Sequence, residues 1–143
     1  LCFTVDEHRL LFSGDHVMGW STTVVSPPDG DMTAYFNSLR KVIGRSDATL
    51  LPTHGNPITD PQPYLAAYLA HRLEREHDVL ELVRAGVGSV ADIVDILYTS
   101  VPRTLHKAAR RSVLAHLVKL VEEGTVAVED GGRARLSSRF DAV

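Results

Sequence analysis

At 143 residues the chain can hold one ordinary domain or two small ones. Its 44% hydrophobic and 23% charged residues are a globular balance, which excludes a disordered or low-complexity chain. The apolar runs are only a few residues long, too short for a membrane-spanning helix, and the formal net charge of −3 is a modest field.

That charge is unevenly spread. Residues 1–60 carry four basic and seven acidic side chains, whereas residues 99–143 carry eight basic and five acidic ones. The C-terminal end is therefore the part suited to an anionic partner. The single cysteine, Cys2, excludes an internal disulfide and fits a reducing, cytoplasmic setting. With no triad-like base near it, Cys2 reads as a small apolar strand side chain rather than a nucleophile.

The chain opens without methionine on Leu1–Val5, which alternates like a strand and is read as the later part of a larger enzyme. Leu10–Ser13 is the second apolar run, and the polar turn Asp6-Glu7-His8-Arg9 between them predicts a β-hairpin. A loop follows to Gly30, punctuated by Pro27-Pro28-Asp29-Gly30. Asp31 then begins a helix ending at Gly44, with Tyr35, Phe36, Leu39, Val42 and Ile43 as its apolar stripe. Ala48–Leu51 is a short buried strand running into the turn at His54. The first 60 residues thus read β-β-α-β, too little to close a layered domain alone.

Helices dominate the rest. Asp60-Pro61 is an N-cap followed by a first-turn proline, and the helix it opens runs to about Arg84, before Gly86 and Gly88. Ser89-Val90-Ala91-Asp92 has the form of a capping box opening a short helix to about Leu97. Pro102 starts a third helix reaching Glu123, and Leu105, Ala109, Val113, His116, Leu117 and Leu120 share its apolar face. Thr125–Val128 and Arg133–Leu136 flank Glu129-Asp130-Gly131-Gly132, a turn suited to a hairpin. Helix, short helix, longer helix and hairpin is the order of a winged-helix unit. The expected division is therefore 1–60 and 61–143.

Chemistry concentrates at two strand ends. Asp15 follows the run Leu11-Phe12-Ser13-Gly14, and His54 follows Leu50-Leu51-Pro52-Thr53. A carboxylate and an imidazole delivered by two strands with a helix between them are residue types that hold a catalytic divalent metal. Helix-flanked sheets also place their sites at carboxyl ends of strands. Ser21, Thr22 and Thr23 lie in the loop that would border such a site, where their hydroxyls could bind substrate or simply cap backbone groups. On the third helix, Arg103, Lys107, Arg110 and Arg111 fall opposite the apolar face, and Arg133 and Arg135 follow in the hairpin. Such a face could meet the phosphates of nucleic acid, or be an ordinary solvated face beside a dimer contact. The helix has no Asn or Gln for reading bases.

Phe12-Ser13-Gly14-Asp15 followed by Leu51-Pro52-Thr53-His54-Gly55 resembles the second half of a metallo-β-lactamase-fold hydrolase. The winged-helix-like tail narrows the resemblance to the subgroup containing the β-lactamase-like protein 2 endoribonuclease. Gly14-Asp15-His16-Val17, Thr22-Thr23-Val24, Tyr35-Phe36-Asn37-Ser38-Leu39, His71-Arg72 and Leu105-His106-Lys107-Ala108-Ala109 stand where that subgroup has similar stretches. The resemblance implies an α/β (α+β) fold, the second half of an αββα sandwich followed by a winged-helix-like domain. It implies two divalent metal ions, zinc foremost, with Asp15 as the carboxylate that bridges them and His54 as the last histidine ligand. A water made acidic by those metals would then attack a scissile carbonyl or phosphoryl group.

The His-x-His-x-Asp-His motif of that family is absent from the chain, and His8, His16, His71, His77, His106 and His116 do not replace it. The expected partner is therefore a missing N-terminal half of the same fold, without which this piece would bind metal weakly and be inactive. Three functions remain open. The first is a ribonuclease acting on RNA phosphodiesters, and the second a glyoxalase-II-like ester or thioester hydrolase. The third is a non-catalytic winged-helix module for nucleic-acid binding or homodimerisation, since fold does not choose substrate.

Overall fold

A computed structural model describes residues 1–143, and the backbone separates into two compact units. The first unit comprises Leu1–Thr23 and Phe36–Arg72, and the second Val24–Tyr35 and Leu73–Val143.

The first unit is built on a three-stranded sheet. Strand β1 (Phe3–Val5) and strand β2 (Leu10–Gly14) form the expected antiparallel hairpin, joined by a single 3-10 turn at Asp6–His8. Helix α1 (Met32–Ile43) then carries the chain to strand β3 (Thr49–Pro52), which lies parallel to β2. Asp31 caps α1 by accepting the Ala34 N–H on Oδ1 at 2.8 Å. The pairings Phe3↔Phe12↔Leu51 and Leu11↔Leu50 separate the two faces of the sheet. Leu11, Ser13 and Leu50 are buried on one face, while Phe3 and Phe12 are 62% and 44% exposed on the other. Helix α2 (Pro61–Arg84) begins in this unit and ends in the second.

The second unit contains helix α3 (Val90–Leu97), a 3-10 turn at Arg103–Leu105, helix α4 (His106–Glu122), and strands β4 (Val126–Val128) and β5 (Phe140–Ala142). Its core gathers Val79, Val83, Ile93, Val113, Leu117 and Phe140, among others. Ser89 caps α3 as expected, its Oγ accepting the Asp92 N–H at 3.1 Å, while the Asp92 carboxylate accepts from the Ser89 hydroxyl at 2.7 Å. Helix α2 stops at Gly86, whose φ of +86° lets its own N–H reach the Val83 carbonyl while Val87 N–H reaches Leu82. These paired bonds satisfy the last carbonyls in a conformation that costs a residue with a Cβ extra energy.

Two expectations fail here for identifiable reasons. The second wing strand is Phe140–Ala142 rather than Arg133–Leu136. Arg133-Ala134-Arg135-Leu136 alternates like a strand but has only Ala134 and Leu136 to bury. Phe140, by contrast, is 1% exposed opposite the buried Val128, and its N–H bonds the Gly88 carbonyl at 2.9 Å. Gly131 N–H to Val128 and Ser138 N–H to Arg135 instead fold the intervening residues into turns. Leu105 is the other departure, 54% exposed because it lies in the 3-10 turn before α4, out of phase with the helix. Ala109, Val113, His116, Leu117 and Leu120 are buried as the pattern required.

Candidate metal-binding strand ends and a basic helix face

Because β2 and β3 are parallel, their carboxyl ends lie at the same sheet edge. Gly14, with φ +57°, turns the chain out of β2 into Asp15. The turn is stabilised by Ser13, whose buried hydroxyl donates to the Val17 carbonyl at 2.8 Å and whose own carbonyl accepts the His16 N–H. On the neighbouring strand end, Thr53 N–H donates to the Gly14 carbonyl at 3.2 Å and sets His54 beside Asp15. His54 Nε2 lies 3.6 Å from Asp15 Oδ1, with both side chains more than half exposed.

Gly55 allows this turn to sit where it does. A Cβ built there, at φ +94°, would lie 2.7 Å from the Gly19 Cα, so only glycine permits the two turns to touch. Gly19 N–H in turn donates to the His54 carbonyl at 2.8 Å. Carboxylate and imidazole are thus presented to the same open side, as two donors of a divalent-cation site should be. No group of three or more His, Cys, Asp and Glu side chains is arranged to hold a metal ion. The donors present fit a metal as two ligands of a larger set.

The loop from His16 to Thr23 is held down from α2. Tyr64 donates its hydroxyl to the Met18 carbonyl at 2.6 Å, and Tyr68 Oη accepts the Thr23 N–H at 2.7 Å. Arg72, only 4% exposed, donates to the Thr23 carbonyl. The Thr23 hydroxyl donates to the carbonyl of Asp15, with that of His16 at 3.3 Å as the alternative acceptor. Thr23 therefore faces inward, whereas the hydroxyls of Ser21 and Thr22 have no hydrogen-bond partner in the protein. His16 is half-buried, and burial pushes its pKa down. By sequence alone Tyr64 and Tyr68 count only as apolar positions. The four-residue spacing of Tyr64, Tyr68 and Arg72, which puts three polar ends on one helix face, was the available clue.

In the second unit, Arg103, Lys107, Arg110 and Arg111 are all exposed and engaged in no ion pair. Their spacing places them along one side of the 3-10 turn and α4. His116, expected on the apolar face, is fully buried and makes a polar contact, its Nδ1 lying 3.1 Å from Glu76 Oε2. Lys119 Nζ donates to Glu76 Oε1 and to Glu123 Oε1, both at 2.7 Å. No helix is long and apolar enough to cross a membrane.

Comparison with known proteins agrees with this architecture. Residues 89–134 match the beta-lactamase associated winged helix domain. The chain is 35% identical to a Beta-lactamase-like protein 2 homolog from Drosophila melanogaster, over 82% of this chain and 40% of the relative. It is 34% identical to an atrochrysone carboxyl ACP thioesterase from Aspergillus chevalieri, over 94% of this chain and 46% of the relative. The chain thus spans less than half the length of these curated relatives.

A crystal structure of a beta-lactamase domain protein from Burkholderia ambifaria superposes with a TM-score of 0.84 at 25% identity, over 99% of this chain and 44% of that one. A metallo-beta-lactamase family protein from Thermus thermophilus shares the fold, with a TM-score of 0.78 at 22% identity over the same shares. The chain shares the metallo-β-lactamase fold of these structures, matches the beta-lactamase associated winged helix domain over residues 89–134, and is similar to a portion of a beta-lactamase-like protein 2 homolog.

Proposed function

We propose that the chain supplies one wall of the active site of a metal-dependent hydrolase, with Asp15 and His54 as metal ligands. The observation that carries this reading is the 3.6 Å approach of His54 Nε2 to Asp15 Oδ1 at the ends of two parallel strands. Asp15 would hold cations through its two carboxylate oxygens, which suits it to bridge a pair, and His54 through Nε2. The bound ions would supply Lewis acidity and an acidified water. The remaining ligands would come from residues outside this chain, since only two donors meet here.

RNA phosphodiesters are the proposed substrate class, supported by the four exposed, unpaired cations of the 3-10 turn and α4. Thioester hydrolysis is the second reading, favoured by the 34% identity to an acyl-carrier thioesterase over 94% of this chain. The test is metal analysis of the full-length protein together with a panel of phosphodiester and thioester substrates. Bound metal that disappears in Asp15→Asn and His54→Ala, with turnover of one panel class, is the expected result. Full metal content in both variants overturns the assignment.

A further inference from the structure

We propose that Thr23, held by Tyr68 and Arg72, is a positioning residue that sets the backbone of Asp15 and through it the carboxylate. This inference rests on the reading of Asp15 as a metal ligand.

The Asp15 side chain is 66% exposed, and its contact is with His54 at 3.6 Å. No hydrogen bond to the carboxylate accompanies that contact, so its aim depends largely on the main chain that carries it. The Ser13 and Thr53 bonds hold the residues on either side, and the hydrogen bond to the Asp15 carbonyl itself comes from a residue eight positions on, the Thr23 hydroxyl. Thr23 is in turn held at every polar atom it has. Its N–H donates to Tyr68 Oη at 2.7 Å, its carbonyl accepts from Arg72, and its Oγ1 lies 3.2 Å from Tyr68 Oη. The phenol proton has Oγ1 or the Ser21 carbonyl, at 3.4 Å, as acceptor.

Tyr68 and Arg72 direct their hydrogen bonds at one short loop. Arg72 is 4% and Tyr68 6% exposed, and burying a guanidinium and a phenol is costly unless their polar atoms are bonded. Both reach with hydrogen bonds into the three residues Ser21 to Thr23. A rigid helix thus clamps the far end of a short loop, and the loop passes the restraint back to the turn bearing Asp15. Tyr64 on the Met18 carbonyl and Gly19 on the His54 carbonyl hold the middle of the same loop. Supporting groups of this kind usually govern ligand orientation at metal sites.

The experiment uses the full-length protein and compares Thr23→Val, Thr23→Ser, Tyr68→Phe and Asp15→Asn. Zinc affinity is read by chelator competition, and ligand geometry by the visible absorption of the cobalt(II)-substituted protein. Thr23→Val should lose roughly tenfold or more in zinc affinity and alter the cobalt spectrum, a typical loss when a group orienting a ligand is removed. Thr23→Ser, which keeps the hydroxyl, should restore both, and Tyr68→Phe should fall between.

Wild-type affinity and spectrum in Thr23→Val, with loss in Asp15→Asn, overturn the positioning role and leave the metal assignment standing. Undiminished affinity in Asp15→Asn overturns both. Failure of Thr23→Ser to rescue reduces Thr23 to a folding role. Should Thr23→Val not fold, Tyr68→Phe at wild-type affinity overturns the inference by itself.

Discussion

Replacing Glu76 by alanine should lower the stability of the second unit by about 3 kcal/mol, roughly two orders of magnitude in the folding equilibrium. The side chain is 13% exposed and accepts two hydrogen bonds, from His116 Nδ1 at 3.1 Å and Lys119 Nζ at 2.7 Å. Bonds to a charged group contribute about 1.5–3 kcal/mol each. Part of the Lys119 share is retained, because Lys119 keeps Glu123 at 2.7 Å. His116 has no exposed surface and would lose this partner in the protein interior, at a cost of about 1–3 kcal/mol.

Glu76→Gln should cost less, about 1 kcal/mol, because an amide oxygen still accepts from His116 while the charge on the Lys119 side is lost. Acidification separates charge from shape. Burial raises the Glu76 pKa, yet the hydrogen bonds from His116 and Lys119 outweigh it and hold the group below its ordinary 4.5. Its folded value lies under the unfolded one, so the contribution is present above pH 4.5 and drains as pH falls through the folded value. Urea unfolding followed by circular dichroism, at pH 7 and in steps below pH 5, measures both effects. An alanine variant within about 0.5 kcal/mol of the parent at pH 7, or a glutamine variant with the parent's acid slope, refutes the reasoning.

Gly55→Ala should lower thermal stability by about 2 kcal/mol or more, since the new Cβ meets the Gly19 backbone at 2.7 Å in a left-handed conformation. Gly86→Ala, left-handed but with nothing within 4 Å, should cost only about 1 kcal/mol, and calorimetric melts that rank the pair the other way refute the close-contact account. For the proposed RNA surface, Lys107→Ala with Arg110→Ala should weaken binding of a single-stranded oligonucleotide and flatten its salt dependence by about 1.4 in the log–log slope. An unchanged slope in titrations between 50 and 200 mM salt, roughly the range where counterion release is measured, removes these two residues from the interface.

Local pattern was enough wherever a residue's role depends on near neighbours in the chain. The hairpin of Leu1–Val5 and Leu10–Ser13, the Asp31 and Ser89 caps, and the buried stripe from Ala109 to Leu120 all emerge where period and capping chemistry put them. Asp15 and His54 were legible as a pair because two strand ends separated by one helix must share a sheet edge if the strands are parallel.

Contacts between distant segments were not legible. Arg133–Leu136 alternates well enough for a strand, but the ladder goes to Phe140–Ala142, where Phe140 is buried opposite Val128 while Leu136 stays half exposed. Glu76 and His116 are 40 residues apart, and His116 looked apolar only by its place in the stripe. Thr23 could be placed near the site mouth from its loop, but its 45-residue reach to Tyr68 could not.

Most of the secondary structure, and the placement of Asp15 and His54 at two strand ends, follow from short-range sterics and hydrophobic period. The direction in which Thr23 turns its hydroxyl, and the partner that His116 finds, were decided only when burial forced polar atoms from distant segments to satisfy one another.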